Sequence, residues 1–176
     1  MDNLPYAVQT TFPLLFMLVP ALGALLSCRR RRGPDRSAAE IWQRWWAVGA
    51  LGAGSLWITI SFLVVPTYMA DTIGFAHSPF QFEIAFANLG LAVLGFRAAS
   101  ASPRERLTSG LAAAAFLWGA TIGHVYQWFA NGDHAAGNTG GILANDILIP
   151  AVMIALAARD IRRAGSGRSH TARPAA

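Results

Sequence analysis

Five runs of apolar residues separated by short polar stretches organise this chain. Segments of about 18–25 apolar residues cross a bilayer as helices. The pattern predicts such helices near residues 7–28, 45–65, 80–98, 107–130 and 142–158. A soluble bundle would need a polar stripe along each segment, and the run from Trp45 to Val65 has almost none. The expected fold is an all-α bundle of five transmembrane helices within a membrane domain of residues 1–163. A Gly/Ser/Arg-rich tail, residues 164–176, has the composition of a disordered segment.

Local signals refine the boundaries. Ser37, three residues before Glu40, is a capping-box signature, so the polar connection from Arg29 to Arg44 reads as an amphipathic interfacial stretch. Gly49, Ala50, Gly52, Ala53, Gly54 and Ser55 let a neighbouring helix approach the second span closely. Pro66 ends that span, and an external loop is expected to His77. Ser78-Pro79-Phe80-Gln81 then combines a capping serine, proline at the first helical position and glutamine three after the cap. Asn131-Gly132 stops the fourth span. No internal repeat is visible.

Charge sets the direction of threading. The chain has no lysine, and its arginines cluster in three places. Arg29, Arg30, Arg31, Arg32, Arg36 and Arg44 lie between the first and second spans; Arg97, Arg104 and Arg106 lie between the third and fourth. Arg159, Arg162, Arg163, Arg168 and Arg173 follow the fifth. Arg-rich short loops stay in the cytoplasm, which predicts an external N-terminus and a cytoplasmic C-terminus. Asp35, Glu40, Glu105 and Asp160 fall on the arginine side; Asp2, Asp71, Glu83, Asp133 and Asp146 fall on the other. The fourteen arginines less four acids leave +10 inside, and the remaining five acids give −5 outside, matching the net +5.

This distribution argues against nucleic acid, because the basic groups flank spans and lack interleaved aromatics for base stacking. Membrane lipids, with anionic headgroups on the cytoplasmic leaflet, are the expected counterparts. The basic run follows the first apolar segment, which suits a retained anchor better than a cleaved signal peptide. Cys28 is the single cysteine, so no intrachain disulfide can form. Trp42, Trp45, Trp46 and Trp128 are expected in the interfacial belts.

Ionisable groups inside spans cost about 2.5–3.5 kcal/mol each at the centre and less near the ends, so they need partners. Glu83, His124 and Asp146 are such groups, on three different helices. At about 1.5 Å per residue, Glu83 lies roughly 7 Å below Ser78, His124 roughly 12 Å below Gly132 and Asp146 roughly 10 Å below Thr139. Their similar depth beneath the external face predicts mutual contact. Ala120, Gly123, His124 and Gln127 share one small-and-polar helix face. Asn88, Gln127, Asn138 and Asn145 are candidate substrate-binding residues. Pro150 removes the usual donor for the Asp146 carbonyl, adding acceptor character at that level.

Three functions fit this cluster. One is an interhelical network that only fixes the bundle. Another is a catalytic site for a small lipophilic molecule. There Glu83, His124 and Asp146 would act in proton transfer, as for isomerisation or cyclisation, or would hold iron, manganese or zinc with His77 or His134 completing the set. The third is a proton, ion or solute relay in a small transporter, for which a homo-oligomer or a membrane partner would be needed. No His-x-x-x-His or Glu-x-x-His motif supports a metal, and no haem, nucleotide or flavin signature is present.

Ser78-Pro79-Phe80-Gln81-Phe82-Glu83 with Asn88-Leu89-Gly90 and Gly95, Gly123-His124 with Gln127, Asn138-x-Gly140 and Asp146-Ile147-x-Ile149-Pro150 form a distinctive set. From about Phe75 to Pro150 the chain resembles a family of small bacterial integral-membrane proteins of unassigned function. The resemblance implies a helical domain in the bacterial cytoplasmic membrane. It points to Glu83, Asn88, His124, Gln127, Asn138 and Asp146 as signature positions, and brings no reaction with it.

Overall fold

The computed structural model describes residues 6–30 and 37–171, with side chains as far as residue 164. The charges at Asp2, Arg31, Arg32, Asp35, Arg36 and Arg173, the Gly33-Pro34 pair and the Arg168 side chain lie outside the described residues. Among the described residues every regular element is helical. Helix α1 runs Tyr6–Arg30, interrupted by a 3-10 turn at Phe12–Leu14, and α2 runs Ala38–Val64. Helix α3 is Pro66–Ile73, α4 is Phe80–Ala98 and α5 is Pro103–Ala130. A 3-10 turn at Ala136–Asn138 precedes α6, Gly141–Thr171.

Three stretches are long and apolar enough to cross a membrane: Tyr6–Arg30, Ala38–Val64 and Ala136–Ala164. Helices α4 and α5 stand where the third and fourth spans were expected but do not join that group. Gln81, Glu83, Asn88 and Arg97 dilute the apolar content of α4, and a charged first turn with His124 and Gln127 dilutes that of α5.

The chain punctuation works largely as the sequence implies. The Ser37 hydroxyl accepts from the Glu40 amide at 3.1 Å, although the stretch it starts is continuous with α2 rather than a separate interfacial segment. At α4 the Gln81 side chain reaches back to the Ser78 amide at 2.8 Å. Two connections differ from expectation. The segment after Pro66 is not all loop: proline at its first helical position starts α3, and Gly74, at φ 74°, closes it. Helix α6 continues past residue 158 to Thr171, so residues 164–171 are helical.

Helix α2 changes register at its centre. Trp46–Ala53 is π-helical, a wider turn with i→i+5 bonding that occurs often at functional sites. Gly95 of α4 packs onto this stretch, where an added Cβ would run into the Gly52 amide and the Ala47 carbonyl. Trp46 is therefore not an interfacial belt residue. Its ring is buried in the core with Leu51, Leu91, Leu117 and Ile149, and its indole donates to the Ile149 carbonyl at 3.1 Å.

One end of the bundle is tied by Arg106. Its guanidinium donates to the carbonyls of Ala98 (2.9 Å) and Ala99 (3.2 Å) and to Gln43 Oε1 (2.5 Å). Burial pushes the Arg106 pKa down, against the pull of nearby Glu40 and Asp160. The Trp45 indole donates to Ser27 at 2.9 Å and joins α1 to the same end. At the opposite end Tyr6 donates to the His134 carbonyl at 3.0 Å, and Asp133 stands beside Gly74.

Candidate functional site

The site forms where α5 and α6 face each other beneath the second of these ends. Sixteen residues before the α6 carboxylate, the chain leaves α5, and the Ala136–Asn138 turn folds Asn138 back toward the helix it has just left. The Asn138 amide nitrogen donates to the Asp133 carbonyl at 2.9 Å, which turns its oxygen toward His124. His124 Nδ1 lies 2.6 Å from that oxygen. An amide oxygen only accepts, so the proton of the imidazole sits on Nδ1 and Nε2 is left for other work. Nε2 lies 3.8 Å from Asp146 Oδ2. That distance exceeds a hydrogen bond, so the two groups face each other without one. Asn138 is 1% exposed and Asp146 5% exposed, so bulk water does not screen the arrangement.

His124 and Asp146 border a partly open cavity of about 1190 Å³. Its walls are chiefly apolar, with Phe12 and Phe16 from α1, Trp57 from α2 and Phe116 from α5. The Trp57 ring centroid is 5.6 Å from that of Phe12. Gly119 and Gly123 also line it, and each has open space where a side chain would begin. The small face expected around His124 thus leaves room in front of the imidazole.

The predicted residues divide cleanly. His124, Asp146 and Asn138 come together, and Asn145 and Asn88 line the same cavity. Asn88 spends its amide nitrogen on the Ile84 carbonyl of its own helix, at 3.0 Å. Gln127 does not reach the site: its Oε1 pairs with the Asn131 side chain at the end of α5. Glu83 does not join His124 and Asp146 either. The buried face of α4 carries Gln81, Ala85, Asn88 and Ala92. Glu83, two positions from both Gln81 and Ala85, is turned about 200° away and is exposed.

The expected metal set Glu83, His124, Asp146 is therefore not assembled. Among the described residues no three His, Cys, Asp or Glu side chains are grouped to hold a metal. The loop histidines are engaged elsewhere: His77 with Asp71 at 2.6 Å, and His134 against the Trp128 ring, tilted by 35° with centroids 4.1 Å apart.

Other contributors carry no sequence signal. Phe12, Phe16 and Trp57 look like ordinary span residues, yet α1 and α2 supply much of the cavity wall. The indoles of Trp46 and Trp118 donate to the carbonyls of Ile149 and Ile147, both just before Pro150. Extra donors at irregular backbone are what an apolar surrounding demands.

Residues 10–166 match a family of unknown function, DUF6790, so the matched region takes in the first two helices as well as those at the site. No curated protein and no solved structure matches the chain.

Proposed function

The chain belongs to the DUF6790 family, and we propose that it is an integral membrane enzyme that holds a small lipophilic molecule in its cavity and moves a proton on it. The observation that carries this reading is one pair: His124 and Asp146, 3.8 Å apart at the wall of a mostly apolar cavity of about 1190 Å³. In this reading Asn138 fixes the imidazole tautomer. The free Nε2 lone pair takes a proton from the substrate, and Asp146 is the partner that exchanges it. A proton removed at one carbon and returned at another leaves the redox state unchanged. The chemistry therefore suits isomerisation or cyclisation and needs no external oxidant.

The setting proposed for this chemistry is the bacterial cytoplasmic membrane, crossed five times with the N-terminus outside. The position of Arg106 supports the count. It ties the turn between α4 and α5 to Gln43, at the start of a helix long enough to cross, so this hairpin reaches as deep as α2 does. Lipids and one lipophilic ligand are then the partners, with no role for nucleic acid.

Solvent deuterium provides the test. The full chain in nanodiscs is incubated in heavy water with a bacterial lipid extract, and lipophilic species are screened by mass spectrometry. The wild-type protein should place deuterium in one class of molecule, and His124→Ala and Asp146→Asn should lower the rate at least a hundredfold. Labelling that is absent, or unchanged in variants that only melt earlier, would leave the pair with a structural role.

A further inference from the structure

We infer that this cavity admits the hydrocarbon chain of a lipid that stays anchored in the bilayer, and that the chain enters sideways through a slot between α4 and α5. The inference rests on the reading of the cavity as a ligand site in a membrane, but not on the proton chemistry assigned to His124 and Asp146.

Most seams around the cavity are bridged. Leu51, Leu117 and Ile149 of the core form its floor. Helix α3 is its roof, with Tyr68, Met69, Thr72 and Ile73 in the lining. That roof is seated on the Ala136–Asn138 turn, where a Cβ added to Gly137 would stand 2.9 Å from the Thr72 carbonyl. The loop after α3 is held to α4, since the Gln81 amide nitrogen donates to the Ala76 carbonyl at 2.9 Å. Between α1 and α2 the Phe12 and Phe16 ring centroids lie 5.6 and 6.4 Å from that of Trp57. Between α1 and α6 the Asn145 amide nitrogen donates to the Pro13 carbonyl at 2.7 Å. Helix α4 packs along α2, and α5 along α6.

The seam between α4 and α5 differs. Among the described residues, the hydrogen bonds and ion pair that join them gather at the connecting turn. There Arg106 holds the Ala98 and Ala99 carbonyls, and Arg97 lies 3.8 Å from Glu105. Beyond the turn, Phe80 and Ile84 of α4 and Ala115, Gly119 and Gly123 of α5 line the cavity. Phe80, Ala115, Gly119 and Gly123 are also exposed on the outside of the bundle. A Cβ added at Gly119 or Gly123 would meet nothing within 4 Å. The cavity therefore opens sideways here, along a stretch of bare α5 backbone.

Depth and chemistry name what passes. Gly123 and Gly119 lie about 10 and about 16 Å from the Ala130 end of α5 at 1.5 Å per residue. Half of a hydrocarbon core is about 15 Å, so with the N-terminus outside the slot faces the outer leaflet. No water reaches that depth, and a polar headgroup drawn through would be desolvated at high cost. An alkyl chain meets only phenylalanine, isoleucine, alanine and glycine, and the small residues let it lie close to α5. Drug-sized ligands occupy pockets of roughly 300–1,000 Å³, and this cavity, at about 1190 Å³, has room for a long chain.

Photolabelling of the full chain in nanodiscs tests the route. One probe is a phosphatidylcholine with a diazirine midway along one acyl chain, which cannot leave the bilayer. The other is a free, hydrocarbon-soluble aryl diazirine. Adducts are located by mass spectrometry on α6, where Asp146 and Ile149 are buried and line the cavity while Ile147 and Leu148 are exposed outside it. The phosphatidylcholine should label the inner pair as well as the outer one. Gly119→Trp should cut its inner adducts roughly tenfold by steric exclusion and spare the outer ones. Gly90→Trp, equally open at its Cβ but outside the cavity lining, should change neither. Inner adducts from the free probe alone overturn the slot and leave the cavity as a ligand site. Inner adducts from neither probe remove the site, and the slot with it. Inner phosphatidylcholine adducts undiminished in Gly119→Trp put the entrance elsewhere and overturn the slot as well. Gly119→Leu takes the place of the tryptophan variant if that does not fold.

Discussion

Glu83 and Asn88 sit five residues apart on α4, yet one is exposed and the other faces the cavity. Depth along a helix is legible from caps, because each residue adds a fixed rise. Direction around the axis is legible only when the buried face is known. The sequence therefore brought Glu83, His124 and Asp146 to one altitude correctly enough to find the pair, and could not see that Glu83 points away. The face of α5 was easier to read, since its small residues mark it. Gly123 makes that face testable. A leucine there meets nothing within 4 Å at its Cβ, and replacing a helical glycine gains up to about 1 kcal/mol of propensity. Gly123→Leu should thus melt at the same temperature as the wild type or higher, while its side chain occupies the space before His124. Deuterium exchange should fall at least tenfold. Retention of exchange in a stable variant would show that the cavity is not where the ligand sits.

Helix ends were the best-read elements and the helix interior of α2 the worst. The signals at Ser37 and Ser78 are local, so short-range chemistry decides them. The π-helical stretch Trp46–Ala53 depends on α4 crossing against Gly52, a contact that no window of the α2 sequence contains. The start of α5 is the clearest local device. Ser102 accepts from the Glu105 amide at 3.4 Å, and the Glu105 carboxylate accepts from the Ser102 amide at 2.7 Å. Ser102→Ala should cost about 1 kcal/mol. The bonds to Ser102 hold the Glu105 carboxyl below its ordinary pKa of 4.5. A depressed carboxyl stabilises the fold fully above 4.5 and loses that contribution as pH falls through the folded value. Melting of the detergent-solubilised wild type should therefore drop more steeply below pH 4.5 than melting of Glu105→Gln. Parallel curves for the two proteins would deny the carboxylate any part in the cap.

Across the whole molecule the arginines serve two purposes that the sequence presents as one. Arg29, Arg30, Arg97 and Arg104 lie at helix ends, where a rule about loop charge applies to them simply. Arg106 counts equally in that rule, but it is buried and closes the gap between α2, α4 and the α4–α5 turn. Because it ties α2 to the α4–α5 turn, threading and packing depend on each other: an α4–α5 hairpin lying on the external surface could not keep these bonds. Position-specific labelling checks both together. In a Cys28→Ser background, His77→Cys and Ser100→Cys each place one thiol at an exposed position, before α4 and just after it. Applied to intact spheroplasts, a membrane-impermeant maleimide should label the first and reach the second only after permeabilisation. If both thiols react from outside, α4 does not cross, the clamp at Arg106 is not formed in the membrane, and the wall that α4 lends to the cavity is lost with it.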